Sequence, residues 1–175
     1  MRGLAKFNEL ETAGNVISTV QRTKEGIVYT PGTPLKYKGD CKNGVFKRGA
    51  NDRSVGSELK GIVPLNFYAF EGAMYKTKDS NMKWGELIFL DSENVVCSML
   101  IKTISLDRFV AFASDVEVYD KKSVFGNFTL NLKMVPKTSK EYGSYFYIEF
   151  EAEKADAEDV MRVRDFLQGS GAKGL

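Results

Sequence analysis

The stretch that decides the fold is VVCSMLIKTISLDRFVAFA, residues 95–113, because the spacing of its apolar residues changes part-way along it. Val95, Val96, Met99, Leu100 and Ile101 form a run of strand length that suits a pleated, largely buried surface. Beyond it the apolar residues fall at Leu106, Phe109, Val110 and Ala113, three and four apart, which makes one face of a helix of two to three turns. Ser105, just ahead of that face, is the expected N-cap. The reading is a strand from Val95 to Lys102 that passes directly into a helix.

On the N-terminal side, Asp91-Ser-Glu-Asn94 has the chemistry of a tight turn, and Trp84 to Leu90 is a second apolar run of strand length. A polar connection, KTKDSNMK at 76–83, separates it from an earlier strand, Phe67 to Tyr75. Three strands in a meander are thus expected before the helix. On the C-terminal side, after Val116 to Tyr119 and the pair Lys121 and Lys122, the residues Phe128, Leu130, Leu132 and Met134 alternate with Thr129, Asn131 and Lys133. That is a fourth strand. PKTSKEYG at 136–143 interrupts it. Tyr145 to Ala152 is a fifth, with Phe146, Ile148 and Phe150 on one face and Tyr145, Tyr147, Glu149 and Glu151 on the other.

The flanks read differently. Residues 1–58 are expected to be an arm: short extended pieces at Asn15–Gln21 and Gly26–Tyr29, then a cationic, glycine-punctuated loop segment, KYKGDCKNGVFKRGANDRSVGSELK at 36–60. Residues 154–175 are expected to hold a helix from about Ala157 to Gln168, capped by Asp156 and ended by Gly169, with Val160, Val163 and Leu167 on one stripe. That helix would dock on the domain or join two copies into a homo-oligomer.

Composition narrows the chemistry. The 175 residues contain no histidine, which removes serine–histidine and cysteine–histidine nucleophiles, histidine metal sites and histidine proton shuttles together. Two cysteines, Cys41 and Cys97, are too few for a disulfide framework or a four-cysteine zinc site, and point to a reducing compartment. Asp91 and Glu93 share one turn, where turn chemistry is the simpler account than a bound cation. Gly39 and Gly44 have the spacing of a phosphate loop, but Val45 stands where its lysine belongs. Asn127-Phe-Thr129 fits a glycosylation triplet inside an expected strand and is discounted. No enzyme, cofactor or metal is expected. No run approaches the roughly 18 apolar residues of a membrane span, and residues 1–20 lack a signal-peptide core, so the expectation is a cytoplasmic protein with no membrane partner.

The formal charge of +2 hides a block pattern. Residues 1–78 carry 13 basic and 7 acidic side chains and residues 79–120 carry 3 and 8; 121–140 carry five lysines and no acid, and 141–165 carry 3 basic against 8 acidic. Such blocks let one face be strongly positive while the sum stays small.

Three strands in a meander, a helix, then two strands is the order of a five-stranded oligonucleotide-binding (OB) barrel with its helix between strands 3 and 4. Residues 59–153 resemble that fold and, more loosely, the single-stranded-DNA-binding proteins of bacteria and their viruses. The resemblance implies a ligand lying across the second and third strands, between the first-to-second and fourth-to-fifth loops. Those loops carry Lys76, Lys78 and Lys83 with Trp84 directly after, and Lys137 and Lys140 with Tyr142. Lysines would neutralise phosphates and aromatic faces would stack on bases. Lys133, Tyr145 and Tyr147 on the last two strands join the candidates, as do Lys36, Tyr37, Lys38, Lys42, Phe46, Lys47, Arg48 and Arg53 in the arm. The implied function is binding of single-stranded DNA with little sequence preference, in replication, recombination or repair of a bacterium, phage or plasmid; RNA is the other admissible strand. The rival reading is a non-catalytic structural or protein–protein interaction module, such as a phage accessory or assembly protein. Many members of the resembled group end in an acidic, hydrophobic-tipped tail that recruits partners. Here the last residues read GSGAKGL, so recruitment by that route is not expected.

Overall fold

The computed structural model describes residues 19–23 and 26–30 by their backbone, residues 34–72 and 82–154, and Ala157, Glu158 and Met161. Mainly β, it has ten strands in chain order: β1 (Thr19–Thr23), β2 (Gly26–Thr30), β3 (Leu35–Asp40), β4 (Val45–Arg48), β5 (Arg53–Gly56), β6 (Glu58–Glu71), β7 (Lys83–Leu90), β8 (Val96–Lys102), β9 (Phe128–Ser139) and β10 (Gly143–Lys154). The helix α1 (Thr103–Asp120) follows β8. β1 and β2 pair only with each other, and the other eight form one sheet in the order β10-β9-β6-β7-β8-β3-β4-β5, curled into a half-barrel.

Eight strands in place of the expected five is the main correction. The segment 36–60 was expected to be a loop, yet it supplies β3, β4, β5 and the start of β6. Its glycines mark turns between very short strands, Gly44 and Gly49 having φ of +68° and +76°. Its lysines hid the strands because Lys36 and Lys38 alternate with Leu35, Tyr37 and Gly39 along β3. The central strand is also longer and starts earlier than Phe67, and α1 lies between the eighth and ninth strands of the chain rather than the third and fourth of five.

β6 organises the sheet. Over Glu58–Ile62 it pairs with β9, and from Val63 to Glu71 it pairs with β7, with register shifts between Leu59 and Ile62 and between Pro64 and Asn66. Each shift bends the strand and increases its twist, so the sheet turns a corner along β6 and encloses a core. β3 then joins β8 in parallel, Leu35 opposite Cys97 and Lys38 opposite Leu100.

α1 plugs the curl. It buries Ser105, Leu106, Phe109, Ala113 and Val116, spaced as a helical stripe, while Val110, expected in the core, is 39% exposed. Ser105 is not the N-cap. Lys102 takes that position without a side-chain cap bond, and the Ser105 hydroxyl accepts a hydrogen bond from the Ile148 N–H at 3.0 Å, stitching α1 to β10. Phe109 centres an aromatic group, its ring 4.6 Å from that of Phe67 and 5.1 Å from that of Phe150. Gly85 exists because this packing leaves no room for a side chain: a Cβ there would lie within 2.8 Å of Leu106 and closer still to the Phe67 ring. The expected C-terminal helix lies outside the described residues apart from Ala157, Glu158 and Met161, all exposed. Among the described residues no helix is long and apolar enough to cross a membrane.

Two substitutions test this packing. Phe109→Ala removes a ring that is 1% exposed and should cost about 3–5 kcal/mol, while Gly85→Ala should cost about 1–3 kcal/mol by overpacking. Urea unfolding measures both; a shift under 0.5 kcal/mol for either would contradict the packing described.

Candidate nucleic-acid interface

Parallel pairing makes β3 and β8 end together. Two residues beyond the Lys38–Leu100 pair stand Asp40 and Lys102, and β7, antiparallel to β8, begins at the same place, with Trp84 opposite Lys102. α1 starts at the next residue. The β3–β4 turn, Cys41–Gly44, therefore has the end of β8 on one side, with the start of β7 one strand further on. On its other side lies β10, because the Phe146 N–H donates to the Cys41 carbonyl at 2.8 Å. Gly44 secures that contact: a Cβ would lie 2.7 Å from the Phe146 ring, and its φ is positive. One mouth of the half-barrel thus gathers Lys42 on the turn, Lys83 and Lys102 on one side, and Tyr145, Tyr147 and Arg108 on the other.

The β9–β10 hairpin extends this mouth. Lys137 pairs in register with Tyr145, and Lys140 and Tyr142 occupy the turn, all exposed except Tyr145, which is half-buried. Tyr142 is 75% exposed, the most open aromatic of the hairpin. Along β6 the two expected loops leave from opposite ends, since Glu71 faces Lys83 and Glu58 faces Lys133. It is the curl of the sheet, closed by the Cys41–Phe146 and Ser105–Ile148 bonds, that brings their stems to either side of one turn. Lys76 and Lys78 lie outside the described residues.

Several expected contact residues have other roles. Trp84 is 3% exposed, its indole N–H donates to the Gly72 carbonyl at 2.9 Å, and the Lys102 ammonium lies 5.2 Å from its ring centroid. Phe46 is fully buried. Tyr37 is buried with its ring edge-on to Phe89 at 5.4 Å. Tyr147 is 9% exposed, covered by the Arg108 guanidinium at 5.4 Å, and its hydroxyl donates to Glu149; that carboxylate and burial push its phenol up. In the sequence Tyr37, Phe46 and Trp84 stand beside lysines, and Tyr147 shares the polar face of its strand with Glu149 and Glu151. In a half-buried strand, neighbours face opposite ways, so adjacency does not place the ring at the surface.

The cations of the former arm are mostly engaged. Lys36 pairs with Glu86 at 3.2 Å and donates to the Ser98 hydroxyl at 2.8 Å; Lys38 pairs with Asp52 and Lys47 with Asp40, each at 2.7 Å. Lys133 approaches Glu58 at 3.7 Å. Arg48 points to the other mouth, where its Nη2 donates to Asp91 at 3.1 Å and Glu93 at 3.0 Å, and Arg53 is exposed near it. Asp91, 4% exposed, also accepts from the Tyr37 hydroxyl and from the N–H groups of Glu93 and Val95. Burial, and next the Asp91 charge, push the Tyr37 phenol and the Cys97 thiol well up, so both stay protonated. Asp91 is thus a structural carboxylate that closes its own turn. Among the described residues no three potential ligands are arranged to hold a metal.

Lys102 and Arg108 are not among the residues that the sequence reading singles out. Lys102 was legible in principle, because a hairpin closed at Asp91–Asn94 fixes the register that sets it against Trp84. Arg108 had no local signal; only the docking of α1 on β10 brings it to Tyr147.

No protein-family model, curated protein or solved structure matches this chain.

The Asp40 carboxyl, at the rim of this mouth, is held down to about 2 by its bonds to Lys47 and Asn43. A depressed value means that ionised Asp40 stabilises the fold above the unfolded carboxyl range near 4, an effect lost as pH falls from about 4 towards 2. Asp40→Asn should be less stable than the parent at pH 6, with most of that deficit gone at pH 2. Urea midpoints at the two pH values check this; an equal deficit at both would assign the loss to shape rather than charge.

Proposed function

We propose that the protein binds single-stranded DNA, with little sequence preference, at the mouth built around the β3–β4 turn. The observation that carries this reading is the convergence of cations from five separate elements on that turn: Lys42, Lys83, Lys102, Arg108 and the hairpin pair Lys137 and Lys140. Spacing of that kind suits a run of phosphates, which lysines neutralise with release of counterions. Tyr142 and Tyr145 offer ring surface for bases, and the Arg108 guanidinium, over the Tyr147 ring at 5.4 Å, offers a planar cation of the kind on which bases stack. Trp84 serves beneath the site as a support for Lys102. No side chain pattern here reads base edges, which is consistent with a contact to backbone and stacked faces alone. Replication, recombination or repair is the setting in which such an activity is used, and RNA is the competing strand in any titration.

With four to five phosphate contacts, the affinity for labelled oligo-dT should fall with a log–log salt slope of roughly −3, or roughly 50- to 100-fold between 50 and 200 mM salt. Changing Lys42, Lys137 and Lys140 together to Glu should abolish binding in fluorescence anisotropy, whereas Lys36→Glu with Lys38→Glu should change it less than threefold. Tryptophan emission should respond weakly, because the ring is buried. No binding at low salt would end the reading; undiminished binding by the triple variant would move the site elsewhere.

A further inference from the structure

The other mouth holds a different feature. A cleft of about 670 Å³ is lined by Arg48, Arg53, Val55, Gly56, Glu58, Lys60 and neighbouring residues, with the Asp91–Glu93 turn on its far side. It exists because β6 changes partner. β7 ends at Leu90, opposite Val63, so the edge of β6 that β7 covers from Val63 onward carries no strand over Glu58–Ile62 among the described residues. The Met134 N–H donates to the Ser57 carbonyl, which fixes the alternation: Ser57 and Leu59 turn their peptide groups toward β9, and Glu58 and Lys60 turn theirs the other way, into the cleft. β5, which lines the same cleft, is the terminal strand of the sheet. The cleft therefore lies between two short backbone edges.

Its side chains indicate what fits. The Arg48 guanidinium stands in the lining with its Nη2 engaged by Asp91 and Glu93. Val55, half-buried, with Leu59 and Ile62 below, gives an apolar wall. At the rim, Arg53 is exposed with no ion pair among the described residues, and Lys60 is 75% exposed with Glu58 at 3.4 Å. The acids of the cleft are already held: Asp91 and Glu93 by Arg48, Glu58 by Lys60 and Lys133. A ligand that supplies backbone acceptors and donors in a row, an aliphatic side chain and a carboxylate satisfies all of these at once.

We propose that this cleft takes an extended segment of a partner protein, added as a strand along Glu58–Lys60, with an aliphatic residue against Val55 and an acidic residue at Arg53 and Lys60. The inference is independent of the nucleic-acid reading, because the two sites occupy opposite mouths and share no residue.

A displayed library of ten-residue peptides, selected on the full chain, tests it. Enriched peptides should alternate aliphatic with other residues and carry acids. Made synthetically, they should protect the Glu58 and Lys60 amides from hydrogen exchange. Arg53→Glu, a surface change that leaves the fold intact, should weaken them at least tenfold, and Lys60→Pro, which deletes a cleft-facing donor, should do the same. Lys42→Glu should leave them unaffected. The proposal is overturned if no peptide is enriched, or if enriched peptides bind Arg53→Glu as tightly as the parent. It is equally overturned if protection falls on residues 41–44 instead. An oligonucleotide that competes for the cleft would also sink it, by making this mouth part of the nucleic-acid path.

Discussion

Fourteen residues of β6 hydrogen-bond first to β9 and then to β7, and the rest of the molecule depends on that change of partner. A straight strand could not serve both neighbours and still enclose a core. The register shifts between Leu59 and Ile62, where Gly61 has φ of +65°, and between Pro64 and Asn66 supply the bends. Once the sheet is curled, Leu87, Phe89, Met99, Leu130 and Ile148 meet from strands far apart in sequence, and α1 has a concave surface to fill with Leu106, Phe109 and Ala113. Burial of these side chains supplies most of the driving force for the fold, at roughly 1.5–3 kcal/mol for each large one.

The same curl creates two mouths of unlike chemistry. At one, β3 and β8 end beside the start of β7, and Lys42, Lys83, Lys102 and Arg108 stand with Asp40, Glu71 and Glu149 among them. At the other, Arg48, Asp91, Glu93 and Tyr37 form a mutually satisfied group that ties the Asp91 turn to β3 and β4. Such a group adds little net stability compared with an apolar core, since desolvation offsets much of the attraction, but removal of one member would strand the others. It fixes the position of the turn, and with it the gap left where β7 stops. The proposed binding roles of the two mouths thus follow from one backbone event, since β6 both brings the β9–β10 hairpin round to the β3–β4 turn and leaves Glu58–Lys60 uncovered.

The amino-acid sequence by itself determined the local features that depend on near neighbours: an apolar run changing to a helical stripe around Lys102, the turn at Asp91–Asn94, and the clear alternation from Phe128 to Met134. Periodicity reports those directly, because a strand or helix exposes one face by a fixed repeat. It did not disclose β3, β4 and β5, whose four to six residues are too few for a repeat to emerge among lysines and glycines. Nor did it disclose which aromatic rings reach the surface. Tyr37 packs on Phe89, Trp84 lies under Lys102 and Tyr147 under Arg108, all on other elements, and the immediate neighbours of these rings and of the buried Phe46 carry no sign of it. The cationic loops were visible as composition, yet only the tertiary structure decided that the Lys83 and Lys137 stems flank one turn, because their proximity is created by the curvature of β6 and by two hydrogen bonds, Phe146 to Cys41 and Ile148 to Ser105, between segments that no local pattern connects.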